Sequence, residues 1–271
     1  MRRDGGRWAA VALLTVLVLA GCSTGDDAPP APSPGAAVDD PADATAALRE
    51  RCVSAIPEDA ELEAFGFTGA TGGDIEAARI GPESNDRVAV LLPQIGGMCG
   101  WGRWATAAAE DAGLTSLLVN PCGYGESTCA DAEDADPLNE VAAAVELART
   151  DYGAERVVLL GTSMGGSLTV IAVAAGADVD AWADVSGPST WDGVDLAPLA
   201  SDLSPEGLVV MARSDGAQLF RAARALARDA GVPFVERRSG HGWELLVDPV
   251  DGSMTGTGRR LMDFATGAGG V

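Results

Sequence analysis

Five apolar runs constrain this chain more than any other feature: Arg87–Leu92 (RVAVLL), Leu114–Asn120 (LTSLLVN), Arg156–Leu160 (RVVLL), Val179–Val185 (VDAWADV) and Gly207–Ala212 (GLVVMA). Most are near-continuous Val, Leu and Ala rather than a polar–apolar alternation. A strand that is apolar on both sides must be covered on both sides, which is the situation of a parallel sheet between layers of helix. Helix-length segments do lie between and after the runs, over Trp101–Ala112, Pro137–Thr150, Gly166–Ala175, Asp215–Ala230 and Gly258–Ala265, with a further strand at Pro233–Arg238. Ahead of them, Leu62–Thr68 and Ile75–Ile80 flank the turn-rich GATGGD and read as an antiparallel hairpin. The expectation is a mostly parallel α/β sheet with helices on both faces and an antiparallel start. Right-handed crossovers then gather the strand-to-helix turns at one edge, where open α/β sheets bind ligands.

The 271 residues suffice for one such domain, and no internal repeat is visible. Every one of the 18 basic side chains is arginine, which removes Schiff-base and Ser–Lys chemistry. Against them stand 40 acids, for a net charge of −22, so nucleic acid would be repelled. His241 is the single histidine, which argues against a histidine-rich zinc site.

The N-terminus reads as an export signal. Arg2, Arg3 and Arg7 precede a 13-residue apolar run, Trp8–Ala20, too short to span a bilayer as a helix. The run closes on Leu19-Ala20-Gly21-Cys22, which resembles a bacterial lipobox; that resemblance implies removal of residues 1–21 and lipidation of Cys22. The bland alternative is a plain secretory signal with a chance cysteine. The mature chain would carry a net charge of −24. Residues 22–44, with five of the fifteen prolines, form a Pro/Ala/Asp-rich tether able to reach about 60 Å. The folded domain should occupy 45–271. Four cysteines follow Cys22, and in an exported chain they suggest two disulfides with three possible pairings. Cys122 and Cys129 flank a short Gly-containing loop and are the natural first pair, which leaves Cys52 with Cys99.

One turn carries the chemistry. In LLGTSMGGSL (159–168) a serine stands between glycines, at the junction of a buried strand and an apolar helix. G-x-S-x-G is a weak pattern alone; the strand–turn–helix context is what gives it meaning. Here the chain resembles the α/β-hydrolase family, and Ser163 matches its nucleophile. A serine hydroxyl needs a base, which must be His241, in a Gly-flanked loop after the last strand, where the family places its histidine. The resemblance makes Asp215, after GLVVMA, the acid that orients it; Asp184, near the end of the preceding strand, is the runner-up, and the alternative role for Asp215 is a helix N-cap. One oxyanion-hole donor should be the Met164 N–H. The other, by position, is the Ile95 N–H, in a loop where Pro93-Gln94 replaces the family's usual His-Gly, and the Gln94 side-chain amide is a second candidate.

NPCGYGES (120–127) resembles the family's D-x-R-G-x-G-x-S loop, with asparagine and cysteine at the aspartate and arginine positions; a disulfide is the expected replacement for the lost polar anchoring. The acidic run 131–140 lacks the spacing of a calcium loop and reads as a solvated face. Only about 20 residues, Ser186–Glu206, are available for a cap, enough for a flap. The resemblance covers roughly residues 60–268. It implies a serine hydrolase of ester or related acyl bonds, acting on a small-molecule substrate without metal or organic cofactor; the lipobox resemblance adds the membrane anchor. Its competitor is a non-catalytic surface lipoprotein using the same fold to bind a ligand or partner. Substrate identity and oligomeric state are open at this level.

The lipobox reading has a direct consequence. Cys22→Ser should release the protein from the membrane fraction; unchanged sedimentation with membranes would contradict lipidation at Cys22.

Overall fold

The computed structural model describes residues 41–130 and 138–268. The expected export signal, Cys22, the expected tether as far as residue 40 and most of the acidic run lie outside those residues. Ten strands and six α-helices follow along the described chain: α1 Pro41–Arg51, β1 Leu62–Thr68, β2 Asp74–Ile80, β3 Arg87–Leu92, α2 Gly102–Ala112, β4 Thr115–Val119, α3 Leu138–Thr150 and β5 Arg156–Thr162. Then come α4 Met164–Ala174, β6 Ala181–Val185, β7 Thr190–Trp191, β8 Val194–Asp195, β9 Gly207–Ala212, α5 Ala217–Ala230, β10 Phe234–Arg237 and α6 Gly256–Thr266.

Eight strands make one sheet in the order β1-β2-β4-β3-β5-β6-β9-β10. β1 and β2 are antiparallel to their neighbours, and every pairing from β4 onward is parallel. This is the α/β-hydrolase fold. The continuous apolar runs are explained by two cores. In β3, Ala89 and Leu91 point to one face with Leu48, Trp104 and Leu261 of α1, α2 and α6. Val88, Val90 and Leu92 point to the other, with Val141, Val170 and Ala223 of α3, α4 and α5. Neither face meets water, so neither needs a polar side chain. Trp101 and Trp104 meet edge to face at 5.4 Å, and the Trp104 indole donates to the Gly258 carbonyl at 3.0 Å, fastening α2 to the start of α6.

Two elements were not anticipated. α1 takes in residues 41–44, the last four of the expected tether, because Leu48 buries against β1 and the Thr45 hydroxyl accepts the Ala64 N–H at 2.9 Å. Between β6 and β9 the flap is a two-stranded hairpin, β7–β8, followed by a 3₁₀ helix at Ala197–Asp202. Its turn residues Asp192 and Gly193 both have positive φ, 47° and 78°, the requirement of a type I′ hairpin turn. There is no cap domain there.

Cys52 is bonded to Cys99 and Cys122 to Cys129, with Cα atoms 5.3 and 4.8 Å apart. The first joins α1 to the 3₁₀ turn Met98–Trp101 across 47 residues; the second closes a loop of 7. Chain entropy assigns about 4 kcal/mol to the longer closure and about 2.5 to the shorter. Non-reducing peptide mapping should recover these two pairs, and Cys52→Ser/Cys99→Ser should cost more stability than Cys122→Ser/Cys129→Ser. Cross-pairing, or free thiols at any of the four, would contradict the assignment.

Candidate active site

The site is built on the turn after β5. Ser163 has φ 49° and ψ −116°, a conformation that L-residues with side chains avoid. It is held there from both sides. The Ser163 N–H donates to the Val185 carbonyl at 2.8 Å, and its own carbonyl accepts the N–H groups of Gly166 and Ser167, at 2.8 and 3.2 Å. Space is the second condition. A Cβ on Gly161 would run into the Gly165 carbonyl, and one on Gly165 would run into the Leu92 carbonyl. Only glycine at these two positions lets α4 turn back so tightly onto β5 and β3. The turn leaves Ser163 at the N-terminal end of an eleven-residue helix, in the region of its positive dipole.

His241 comes to the serine from the loop after β10. Its Nε2 lies 2.8 Å from Ser163 Oγ, and its Nδ1 lies 2.8 Å from Asp215 Oδ1. The bond to Asp215, reinforced by its charge and that of Glu244, raises the His241 pKa above its ordinary 6.5 against the opposing effect of burial. Asp215 ends the 3₁₀ turn Arg213–Asp215 that continues β9, and its side chain is 7 % exposed. Asp215 does not cap α5: the N-cap is Gly216, and the carboxylate turns to the histidine instead. The three residues selected from the sequence therefore meet in one hydrogen-bonded chain.

Asp184 is elsewhere. It is 1 % exposed at the end of β6, and its Oδ1 accepts the Gly187 N–H at 2.7 Å beside Gly166. No cation pairs with it among the described residues, and burial pushes its pKa up to about 7. It is a structural carboxyl beneath the serine turn.

Met164 begins α4, and Ile95 sits in the loop after β3, 65 % exposed. Neither backbone N–H has a hydrogen-bond partner among the described residues. Gln94 also joins the β3 loop to the histidine loop: its Oε1 accepts the Trp243 N–H at 3.4 Å and packs against Gly242.

Asn120 also departs from expectation. The polar anchoring of NPCGYGES is retained: Asn120 Oδ1 accepts the Met98 N–H at 2.9 Å, while its Nδ2 donates to Glu76 Oε2 at 2.7 Å. The Ser127 hydroxyl donates to the Asn120 carbonyl at 2.8 Å. The disulfide adds to these bonds rather than replacing them. The sequence also gave no sign of Ser214, whose hydroxyl donates to the Gly240 carbonyl at 3.1 Å and so ties the aspartate loop to the histidine loop. No group of His, Cys, Asp and Glu arranged to hold a metal occurs among the described residues.

Comparison with solved structures finds the same architecture at low identity. An esterase of Pyrococcus furiosus aligns over 76 % of this chain and 91 % of its own, at 12 % identity and a TM-score of 0.61. An enol-lactonase of Burkholderia xenovorans aligns over 74 % and 100 %, at 17 % identity and 0.58. Acetyl xylan esterase 1 of Thermoanaerobacterium aligns over 79 % and 85 %, at 16 % identity and 0.54. No family model matches the chain, and no curated protein sequence does. The fold is thereby shared with esterases and a lactonase; the likeness extends no further than the fold.

Asp184 offers a test of the electrostatics beneath the turn. A carboxyl that titrates near 4 when unfolded and near 7 when folded makes the protein lose stability as pH rises across that window. Asp184→Asn keeps an acceptor for Gly187 and removes the titration. Relative to wild type, its melting temperature should therefore be higher at pH 8 than at pH 4. A difference independent of pH would contradict burial as the cause.

Proposed function

We propose that the protein is a serine hydrolase cleaving ester or related acyl bonds, held by a lipid on Cys22 at the extracytoplasmic face of the membrane. The observation that carries this reading is the His241 ring, with one nitrogen 2.8 Å from Ser163 Oγ and the other 2.8 Å from Asp215. In a substrate complex Ser163 Oγ attacks the acyl carbon as its proton passes to His241 Nε2. Asp215 stabilises the imidazolium through Nδ1–H. The negative oxygen of the tetrahedral intermediate takes hydrogen bonds from the Met164 N–H and, from the β3 loop, the Ile95 N–H. Collapse expels the alcohol, which leaves with the proton from His241, and an acyl-Ser163 remains. Water then repeats the sequence, with His241 as base, and frees the acid.

Further observations support the reading. The strained serine, the unpartnered Met164 N–H and the raised histidine pKa are what such a reaction needs. Esterases share the fold. Two disulfides suit an oxidising compartment.

A panel of p-nitrophenyl esters tests the proposal. Ser163→Ala should abolish turnover, and Asp215→Asn should stay folded yet lose about 10⁴ in kcat. Because the base works only when neutral, kcat/KM should rise with pH through a midpoint above 6.5. Removing the Asp215 charge should move that midpoint down. Full turnover by Ser163→Ala would overturn the reading.

A further inference from the structure

The β3 loop, which carries the Ile95 N–H, has little to hold it in its own sequence. Gly96 and Gly97 follow Ile95 with φ of 111° and 90°, and a Cβ on Gly96 would meet nothing within 4 Å. The position of the Ile95 N–H is therefore set from the two ends of the loop. At the β3 end, the Pro93 carbonyl accepts the Gly165 N–H at 2.9 Å, and Gln94 reaches the histidine loop. At the far end two ties act on adjacent residues. Asn120 Oδ1 accepts the Met98 N–H, and Cys99 is bonded to Cys52.

Both far-end ties lead back to the end of α1. Asn120 is 4 % exposed, and its amide works in two directions: Nδ2 donates to Glu76 Oε2 at 2.7 Å while Oδ1 holds Met98. An aspartate there would set one carboxylate against another, and an alanine would leave the Met98 N–H and Glu76 without this partner. Glu76 in turn is held by Arg51, the last residue of α1. The guanidinium donates to Glu76 Oε1 and, at 3.1 Å, to Glu126 Oε1. NPCGYGES contains no cation, and among the described residues no other cation pairs with Glu76 or Glu126. One continuous chain of contacts thus runs from Arg51 through Glu76 and Asn120 to the Met98 N–H. The next residue, Cys52, reaches Cys99 directly through its disulfide.

We propose that Arg51 and Cys52 are positioning residues for the oxyanion loop, acting on Met98 and Cys99 so that the Ile95 N–H points at the developing negative oxygen. Neither touches the substrate. The effect on catalysis rests on the serine-hydrolase reading; the effect on the loop does not. A donor displaced rather than deleted should lower kcat by less than the 10²–10³ that accompanies outright removal of an oxyanion-hole donor, and should leave KM nearly alone.

The test uses the full-length protein and p-nitrophenyl acetate. Asn120→Ala should lower kcat about 30-fold, and Arg51→Ala about fivefold, with KM changed by no more than about twofold. Because the two act in one chain, Arg51→Ala should add nothing in the Asn120→Ala background. Cys52→Ser/Cys99→Ser, assayed well below its melting temperature, should lower kcat about tenfold. In all of these the pH midpoint of kcat/KM should stay at its wild-type value, since the Asp215–His241 bond is untouched. Unchanged kcat, a loss carried by KM, a shifted midpoint, or multiplicative effects of Arg51→Ala and Asn120→Ala would overturn the proposal. Arg51 is exposed, so Arg51→Ala and the cysteine pair decide the matter if Asn120→Ala does not fold. Amide exchange followed by NMR needs no turnover. The Gly97 N–H, bonded to the Gln94 carbonyl, should exchange about tenfold faster in Arg51→Ala than in wild type, with the amides of α4 unchanged. A wild-type protein that turns over no ester would count against the hydrolase reading, whereas equal Gly97 exchange would count against the positioning of the loop.

Discussion

The site depends on one backbone conformation. Ser163 sits at φ 49°, ψ −116°, and a residue with a side chain held in such a region costs roughly 1–3 kcal/mol. The cost is met by what surrounds it: the Ser163–Val185 hydrogen bond, the two bonds to its carbonyl from the first turn of α4, and the contact of Gly161 with Gly165 and of Gly165 with β3. These same constraints lift the hydroxyl off the end of β5 toward the histidine loop. If the turn relaxed to a common conformation, the helix would part from the strand and the Ser163–His241 bond with it.

The loops around the turn are bound to one another rather than only to the sheet. Gln94 joins the β3 loop to the histidine loop, Ser214 joins the aspartate loop to it, and Asn120 joins the β4 loop to the β3 loop. Each bond is single and between 2.9 and 3.4 Å, worth on the order of 1 kcal/mol at most. Together with the two disulfides they set the mutual positions of four loops that share no secondary structure. Glu76 extends the net to β2 by accepting from Asn120 and from the Glu126 N–H.

Much of this was legible in the residues. Strand and helix positions follow from continuous Val–Leu runs because both faces of the sheet are covered, and the boundaries shift by only a residue or two. Ser163 and His241 could be selected because a single histidine and a Gly-flanked serine leave little choice, whereas Asp215 followed from the resemblance, since Asp184 also lies between them in the chain. The elements missed have local reasons. α1 has one large apolar side chain, Leu48, and almost no apolar periodicity, so nothing separated it from the Pro/Ala/Asp-rich tether. The β7–β8 strands have two residues each; only the Asp192-Gly193 pair signalled a hairpin. Bonds such as Gln94 to Trp243 join residues 149 apart, and no local pattern encodes them.

The central claim is that the serine turn and the histidine loop together make Ser163, alone among the serines, a reactive nucleophile. Intact-mass and peptide analysis after treatment with a fluorophosphonate addresses it most directly. The account predicts one phosphonyl group per chain, on Ser163, and none in Ser163→Ala. A folded wild-type protein that takes up no label, or a label that persists in Ser163→Ala, would contradict it.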